Sequence, residues 1–329
     1  MTEDMLIVSN LEGHYDDSLE RYYDFETLST DSKDHVFFYG HGSLVEVYHN
    51  KELADKFKNF KSRIYYNGEH PCAWTGNDIN YMKASADMKK YFNKIFTVCP
   101  YTAEWLNKLQ KTDKFSLTFV PVDKKYIIDD KVEKEHDVIY WGGVHGEDHK
   151  SLLDTISKFK YNFFTLGPQE WGKGQEPHYY KYITHLNSPR PEMWEVLKKT
   201  KINVCMNIIH LKEEQKRNIK SIARWEENEA FSHIDEGIIP QMKTRSVESA
   251  ISRTLMLVKR DPWNVVENWY EPDKEFLYYD NNEELEDKIK DVLNNWPEYQ
   301  HIVENAFNKV VNNYTCEDLV AQMAGGKSV

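Results

Sequence analysis

Two groups of residues have the types and the spacing to hold an anion. Asp137–Trp141 reads as a buried strand, Gly142 and Gly143 follow it, and a helix is expected from Lys150. His145 and Lys150 stand in that same neighbourhood, with Lys150 in the expected first turn. Glycines let the backbone come close to a phosphate with its N–H groups outward. A helix that follows aims its positive end at the same point. The second group is Lys243, Arg245 and Glu248, at the start of a helix expected over Thr244–Arg253. Thr244 or Ser246 can cap it. Arg245 and Glu248 are three apart and share one helix face. An arginine there suits a phosphate, and can grip it with two parallel bonds. A carboxylate one turn on can accept from a pair of ribose hydroxyls. The plainer readings are a simple strand-to-helix turn and a surface ion pair.

A reaction at a hydroxyl needs a base. The candidates follow expected strands of the first half: His14 in "SNLEGH", His41 between two glycines in "YGHGS", and Glu69 with His70 in "NGEHP". His41 and Glu69 are the preferred pair, although a loop histidine on the surface is the plainer reading of each. Lys212, Lys216, Lys220 and Arg224 recur every fourth residue, joined by Arg217. On a helix they form one basic ridge, diluted by Glu213 and Glu214. Such a ridge is either a solvated face or a salt-dependent contact for a polyanion.

These residues need elements to place them. Short apolar runs rich in β-branched and aromatic residues, bounded by Gly, Asn or Pro, read as strands. They are Met5–Asn10, His35–Gly40, Arg63–Asn67, Lys94–Cys99 and Phe115–Pro121 in the first half. In the second half they are Asp137–Trp141, Tyr161–Leu166, Ile202–Ile208, Thr254–Val258 and Phe276–Tyr279. Helices are expected between them, including Tyr81–Phe92, Thr102–Leu109 and Pro191–Lys199. Three more close the chain: Glu283–Asn294, Tyr299–Asn312 and Glu317–Met323. This alternation predicts an α/β fold with mostly parallel sheets covered on both faces. The charged break Tyr126–His136 reads as a linker. The expected division is 1–130, 131–313 and a closing segment 314–329 that crosses back to the first unit.

The 329 residues carry a net charge of −12, so no whole-molecule basic field for nucleic acid exists. No run approaches the length of a membrane helix. The acidic start is unlike a signal peptide, and a cytoplasmic location is expected. Cys72, Cys99, Cys205 and Cys316 form no close pair and read as reduced, mostly buried thiols. The histidines lack zinc-ligand spacing, so no metal site is expected.

Three stretches carry a family resemblance: "VIYWGGVHGEDHKSLL", "KTRSVESAISRTLMLVKRD" and "EFLYYDNNEELEDKIKDVLNNWPEYQHIVENAFNKVVNNYT". Together they resemble the second domain of glycosyltransferases with two Rossmann-like domains facing a cleft (the GT-B fold), of the group 1 and spore-maturation-type (CgeB-like) kind. "YYNGEHPCAW" is similar to the family's strand and acidic turn facing the cleft, and "NKIFTVCPYTAEWLNKL" with "FVPVDKKYI" resembles its strand, turn and helix before the crossover. The usual Arg and Lys of the Gly-rich turn are absent; Gly143, His145 and Lys150 occupy that place. Of the family's two glutamates, only Glu248 is well placed. The resemblance implies a nucleotide-sugar-dependent, metal-independent transferase with no cofactor beyond its donor substrate. It implies donor contacts at Gly142, Gly143, His145, Lys150, Lys243, Arg245 and Glu248. His14, His70, Lys216 and Lys220 are expected on the acceptor side, where a DNA, surface glycan or other polyanion would bind. The other readings are a non-catalytic nucleotide- or carbohydrate-binding module and a sugar-nucleotide epimerase of the same fold. A nicotinamide enzyme is disfavoured, because no G-x-G-x-x-G follows the first strand.

Overall fold

The computed structural model describes residues 5–8, 34–39, 47, 50–68, 87–127, 131–144, 146–165, 177–222 and 224–325. The first sheet contains β1 (Leu6–Val8), β2 (His35–Tyr39), β3 (Ser62–Asn67), β4 (Lys94–Thr97) and β5 (Phe115–Leu117). They lie in that order, each parallel to the next. Helices α1 (Lys51–Lys56) and α2 (Pro100–Gln110) belong to its connections. The helix expected over Tyr81–Phe92 is not formed in the described part, where Met88–Lys90 makes a single 3₁₀ turn.

The second sheet is built from β6 (His136–Trp141), β7 (Tyr161–Thr165), β8 (His185–Leu186) and β9 (Thr200–Cys205), with α3 (Gly146–Ile156) and α4 (Arg190–Lys198) between them. The run Ile202–Ile208, expected as one strand, breaks at Met206-Asn207. It continues as β10 (Ile208–His210), which pairs antiparallel with β11 (Ile238–Pro240). Helix α5 (Glu213–Lys220) lies between these two. Then come α6 (Thr244–Ile251), β12 (Leu255–Lys259), β13 (Leu277–Tyr279), α7 (Asn282–Asn294), α8 (Trp296–Asn313) and α9 (Cys316–Met323). The strand order is β13-β12-β9-β6-β7-β8, all parallel. That is the doubly wound order of a dinucleotide-binding sheet. Both sheets are thus Rossmann-like α/β layers.

Successive strand residues face opposite ways, and the cores follow that rule. In β2, Val36 and Phe38 pack with Trp105 and Leu106 of α2 and with Leu211, Ile219, Phe231 and Ile239 from the segment around β10 and β11. Phe37 and Tyr39 join the opposite cluster, which holds Leu319, Val320 and Met323 of α9. In β6, Val138 and Tyr140 face α3 and α7, while Ile139 and Trp141 share the cluster that contains α9. Segments from the second half therefore cover both faces of the first sheet.

The two chain passages between the sheets are joined. The N–H of Val122 donates to the Tyr314 carbonyl and that of Cys316 to the Val122 carbonyl, both at 2.9 Å. Thr315 and Asp318 form a capping box that starts α9. Thr118 Oγ1 meets Gln322 Oε1 at 2.6 Å, and Lys94 Nζ donates to the Met323 carbonyl at 3.4 Å. Leu319 is fully buried. Leu319→Ala is expected to cost about 2–5 kcal/mol, read as a lower urea midpoint with an unchanged single transition.

Lys134 gives a pH test. Its amine donates to the carbonyls of Lys198 (2.8 Å) and Ser252 (3.3 Å), at the ends of α4 and α6. Burial pulls its pKa down to about 7; Arg253 acts the same way and Glu304 opposes it. The unfolded chain keeps that proton to roughly pH 10. Between about pH 7 and 10 the unfolded state binds more protons, so stability rises with pH across that window. Urea midpoints at pH 7 and pH 9 should show this gain, and Lys134→Met should lose it.

Candidate functional site

In the second sheet the connections from β6 run one way, to β7 and β8, and those from β9 run the other, to β12 and β13. Between adjacent β6 and β9 lies the switch point, and ligands of open α/β sheets bind outside the carboxyl ends there. Gly142 stands at the end of β6 and Asn207 just past β9. Helix α3 follows β6, and α6 leads into β12, so both N-termini lie at this carboxyl edge.

Gly142 has φ +124°, a conformation that L side chains rarely adopt. Its N–H donates to the Phe164 carbonyl at 3.0 Å. A Cβ on Gly142 would overlap Arg245 Nη2 and stand 3.0 Å from Arg245 Cζ. The guanidinium thus occupies the space that a side chain would have taken. Its Cζ lies 4.9 Å from the centre of the Tyr140 ring, a contact worth about 0.5–2 kcal/mol. The Tyr140 hydroxyl donates to the Gly143 carbonyl at 3.2 Å. Burial raises the Tyr140 phenol and Arg245 opposes the rise, so this O–H stays a donor. Gly142, Tyr140 and Arg245 form one stack.

Asn207 sets the start of α6. Its side-chain oxygen accepts from the Lys243 N–H at 3.0 Å, and its carbonyl accepts from the Gln241 N–H at 2.9 Å. Lys243 is the residue before the first turn of α6. The Arg245 carbonyl accepts from Ser249 Oγ at 2.6 Å, and Asn203 Nδ2 on β9 donates to the same hydroxyl at 2.5 Å. Glu248 is 2% exposed. Asn207 Nδ2 is shielded from solvent and has no hydrogen-bond partner among the described residues, and the Ser246 side chain lies against the Cys205 thiol. Burial pushes the Cys205 thiol, on the same strand, up to about 12, with Arg245 opposing, so it stays an unreactive thiol near neutral pH.

Helix α3 begins at Gly146, earlier than expected, so Asp148 and His149 occupy its first turn and Lys150 follows them. The rings of His149 and His210 lie 5.1 Å apart, and that of Tyr140 lies 5.9 Å from His149. Burial holds His210 below the ordinary imidazole value; Asp148 opposes and Lys243 reinforces the shift. Gly142, Gly143, Lys150, Lys243, Arg245 and Glu248 are therefore carried by elements that meet at one sheet edge. Positive φ belongs to Gly142 and not to Gly143.

Tyr140, His149, Asn207 and His210 were not singled out in the sequence. The polar Asn207 inside "VCMNIIH" is the signal that could have found the break and, with it, His210. His14, His41, Glu69, His70, Cys72 and His145 lie outside the described residues. Cys99, Cys205 and Cys316 are buried and form no disulfide among the described residues.

The basic ridge is shorter than its spacing suggests. Helix α5 runs only from Glu213 to Lys220, with Lys212 as its cap; Arg224 lies beyond it at φ +73°. Lys216 pairs with Glu213 at 2.7 Å and reaches the Asp235 carbonyl at 3.3 Å. Lys220 pairs with Asp235 at 2.5 Å, and Arg224 with Glu227 at 3.7 Å. Both lysines of the expected acceptor side are engaged within their own segment. No helix among the described residues is long and apolar enough to cross a membrane.

Residues 149–325 match the model of a family described as "Glycosyl transferase-like". Among solved structures, the chain superposes on TarM of S. aureus with a TM-score of 0.55 at 13% identity, covering 92% of this chain and 56% of TarM. HepE of Anabaena, solved with UDP-glucose, gives 0.56 at 8% identity, covering 88% of this chain and 77% of HepE. Sucrose-phosphate synthase of Thermosynechococcus elongatus gives 0.57 at 10% identity, covering 88% and 72%. The overall architecture is that of two-domain GT-B proteins. No curated protein sequence matches the chain. Gly142→Ala should test the stack directly. With positive φ and the clash against Arg245, a loss of at least about 1 kcal/mol is expected in urea unfolding.

Proposed function

From a chain that belongs to the glycosyl transferase-like family, we propose a transferase that moves a sugar from a nucleoside-diphosphate sugar to a hydroxyl acceptor. The observation that carries this reading is the Arg245 guanidinium, stacked on Tyr140 and fitted into the missing side chain of Gly142 at the switch point. Residues 131–313 form the donor-binding unit, 1–130 the acceptor side, and 314–329 the segment that returns to it.

Transfer breaks the bond from the anomeric carbon to the β-phosphate oxygen, and the electron pair leaves on that oxygen. Arg245 and Lys243 meet the growing charge. So do the N-terminal N–H groups of α3 and α6, already oriented before the reaction. The backbone at Gly142 and Gly143 lets the diphosphate come close, with Lys150 of α3 near it, and His145 is proposed as a further donor contact. Glu248 accepts from the ribose hydroxyls. These groups supply the charge that a divalent cation would otherwise supply, so the reaction is metal-independent and uses no cofactor beyond its donor. The acceptor hydroxyl adds to the anomeric carbon as its proton passes to a base, for which His41 or Glu69 is proposed, with His14 and His70 beside the acceptor. Because Lys216 and Lys220 are already paired, a DNA or other polyanionic acceptor draws little support from the ridge.

A thermal-shift panel of UDP, GDP, ADP, CMP and their sugars tests the donor site. A ligand at about a hundred times its Kd stabilises the fold by roughly 2.7 kcal/mol. One nucleotide family should shift the wild type and leave Arg245→Ala and Glu248→Ala unshifted. Transfer of the matching sugar should survive EDTA. Binding without transfer to any acceptor would instead favour a binding module.

A further inference from the structure

Among the described residues of the site, the donor reading leaves the His210 imidazole without a task. His210 Nε2 is shielded from solvent and has no hydrogen-bond partner among the described residues. The residue ends β10, three positions after the Asn207 that holds Lys243 at the start of α6. Its ring meets His149 in the first turn of α3 at 5.1 Å. His210 therefore lies between the two helix N-termini that are proposed to receive the diphosphate. Among the described residues, the charged and titratable groups around it are Asp148 and His149 on α3 and Lys243 before α6, with Tyr140 of β6 behind His149.

We infer that His210 is the proton-responsive contact of the bound diphosphate: its imidazole takes up a proton as the diphosphate enters, giving the site a positive charge that the free protein lacks. This rests on the donor site proposed above. In the free protein, burial and the Lys243 ammonium outweigh Asp148, and the ring is held neutral near pH 7. A diphosphate beside it reverses the balance. It offers negative charge and an acceptor for N–H, both of which favour the imidazolium, and it offsets Lys243. The bound form then has the higher pKa, so affinity rises as pH falls through the interval between the two values. The proton is drawn from solvent on binding and returned when the nucleotide leaves, so no other reactant is required.

The test is titration calorimetry at pH 7 in PIPES and in Tris, whose ionisation heats differ and neither of which supplies phosphate to the site. The probe is UDP-glucose, or GDP-mannose or ADP-glucose where the panel selects that base; the phosphates of a sugar nucleotide do not titrate near neutrality. The wild type should take up a measurable fraction of one proton per ligand and bind several-fold tighter at pH 6 than at pH 8, at most about tenfold per pH unit. His210→Gln should still bind, with no uptake and a flat pH profile, whereas Arg245→Ala should not bind. Should His210→Gln lose its native melting transition, His210→Asn takes its place. Binding by the wild type without uptake overturns the inference and leaves the donor site standing. Uptake that survives in His210→Gln and vanishes in His149→Gln overturns it by moving the proton to His149. No binding of any sugar nucleotide by the wild type overturns the donor site and the inference with it.

Discussion

The missing side chain of Gly142 is the constraint around which the second sheet arranges its carboxyl edge. Because that space is vacant, Arg245 can lie over Tyr140 and reach the end of β6. With the guanidinium there, α6 must begin close to β6 and β9, and Asn207 fastens that beginning through Lys243. The Tyr140 hydroxyl then ties the aromatic platform back to Gly143. Two helix N-termini and two cations converge as a consequence. Each contact is modest alone, but they share partners, so their energies are coupled and not additive.

A second constraint sets the relation of the two sheets. Tyr101 at the start of α2 donates to the Trp263 carbonyl at 3.3 Å, and the Trp263 indole donates to the Glu229 carbonyl at 2.8 Å. Trp105 meets Phe231 edge-on at 4.9 Å. The loop after β12, the segment between β10 and β11, and the first sheet are thus joined through aromatic side chains. Any closing motion over a ligand must hinge around these contacts and the paired passages at Val122 and Thr315.

Much of the strand content could be read from the sequence, because short β-branched and aromatic runs bounded by turn residues have few other uses. The doubly wound order could not, since periodicity reports which face is buried and not which strand is the neighbour. The meeting of Gly142, Lys243, Arg245 and Glu248 at one sheet edge was foreshadowed because glycine and cap positions announce helix starts. The early start of α3 was hidden by its polar first turn, "GEDHK", which reads equally as loop. The basic ridge was misjudged for the opposite reason. Spacing by fours is a helical signal only while the helix lasts, and α5 stops at Lys220. His210 was invisible because its significance depends on β10 turning away from β9 at Met206-Asn207, a tertiary event.

The placement of α9 also bears on how the chain acquires its structure during synthesis. Its contacts with β4 and with the residue after β5 span 229 and 204 positions, as in Lys94–Met323 and Thr118–Gln322. One face of the first sheet therefore stays uncovered until nearly the whole described chain has emerged from the ribosome. Closing such distant contacts is slow, and a parallel sheet with an apolar face bare is prone to association. The nascent first half thus has a long interval in which Phe37, Tyr39, Ile64 and Phe96 await their covering helix, and a chaperone that shields such surfaces would find its substrate there.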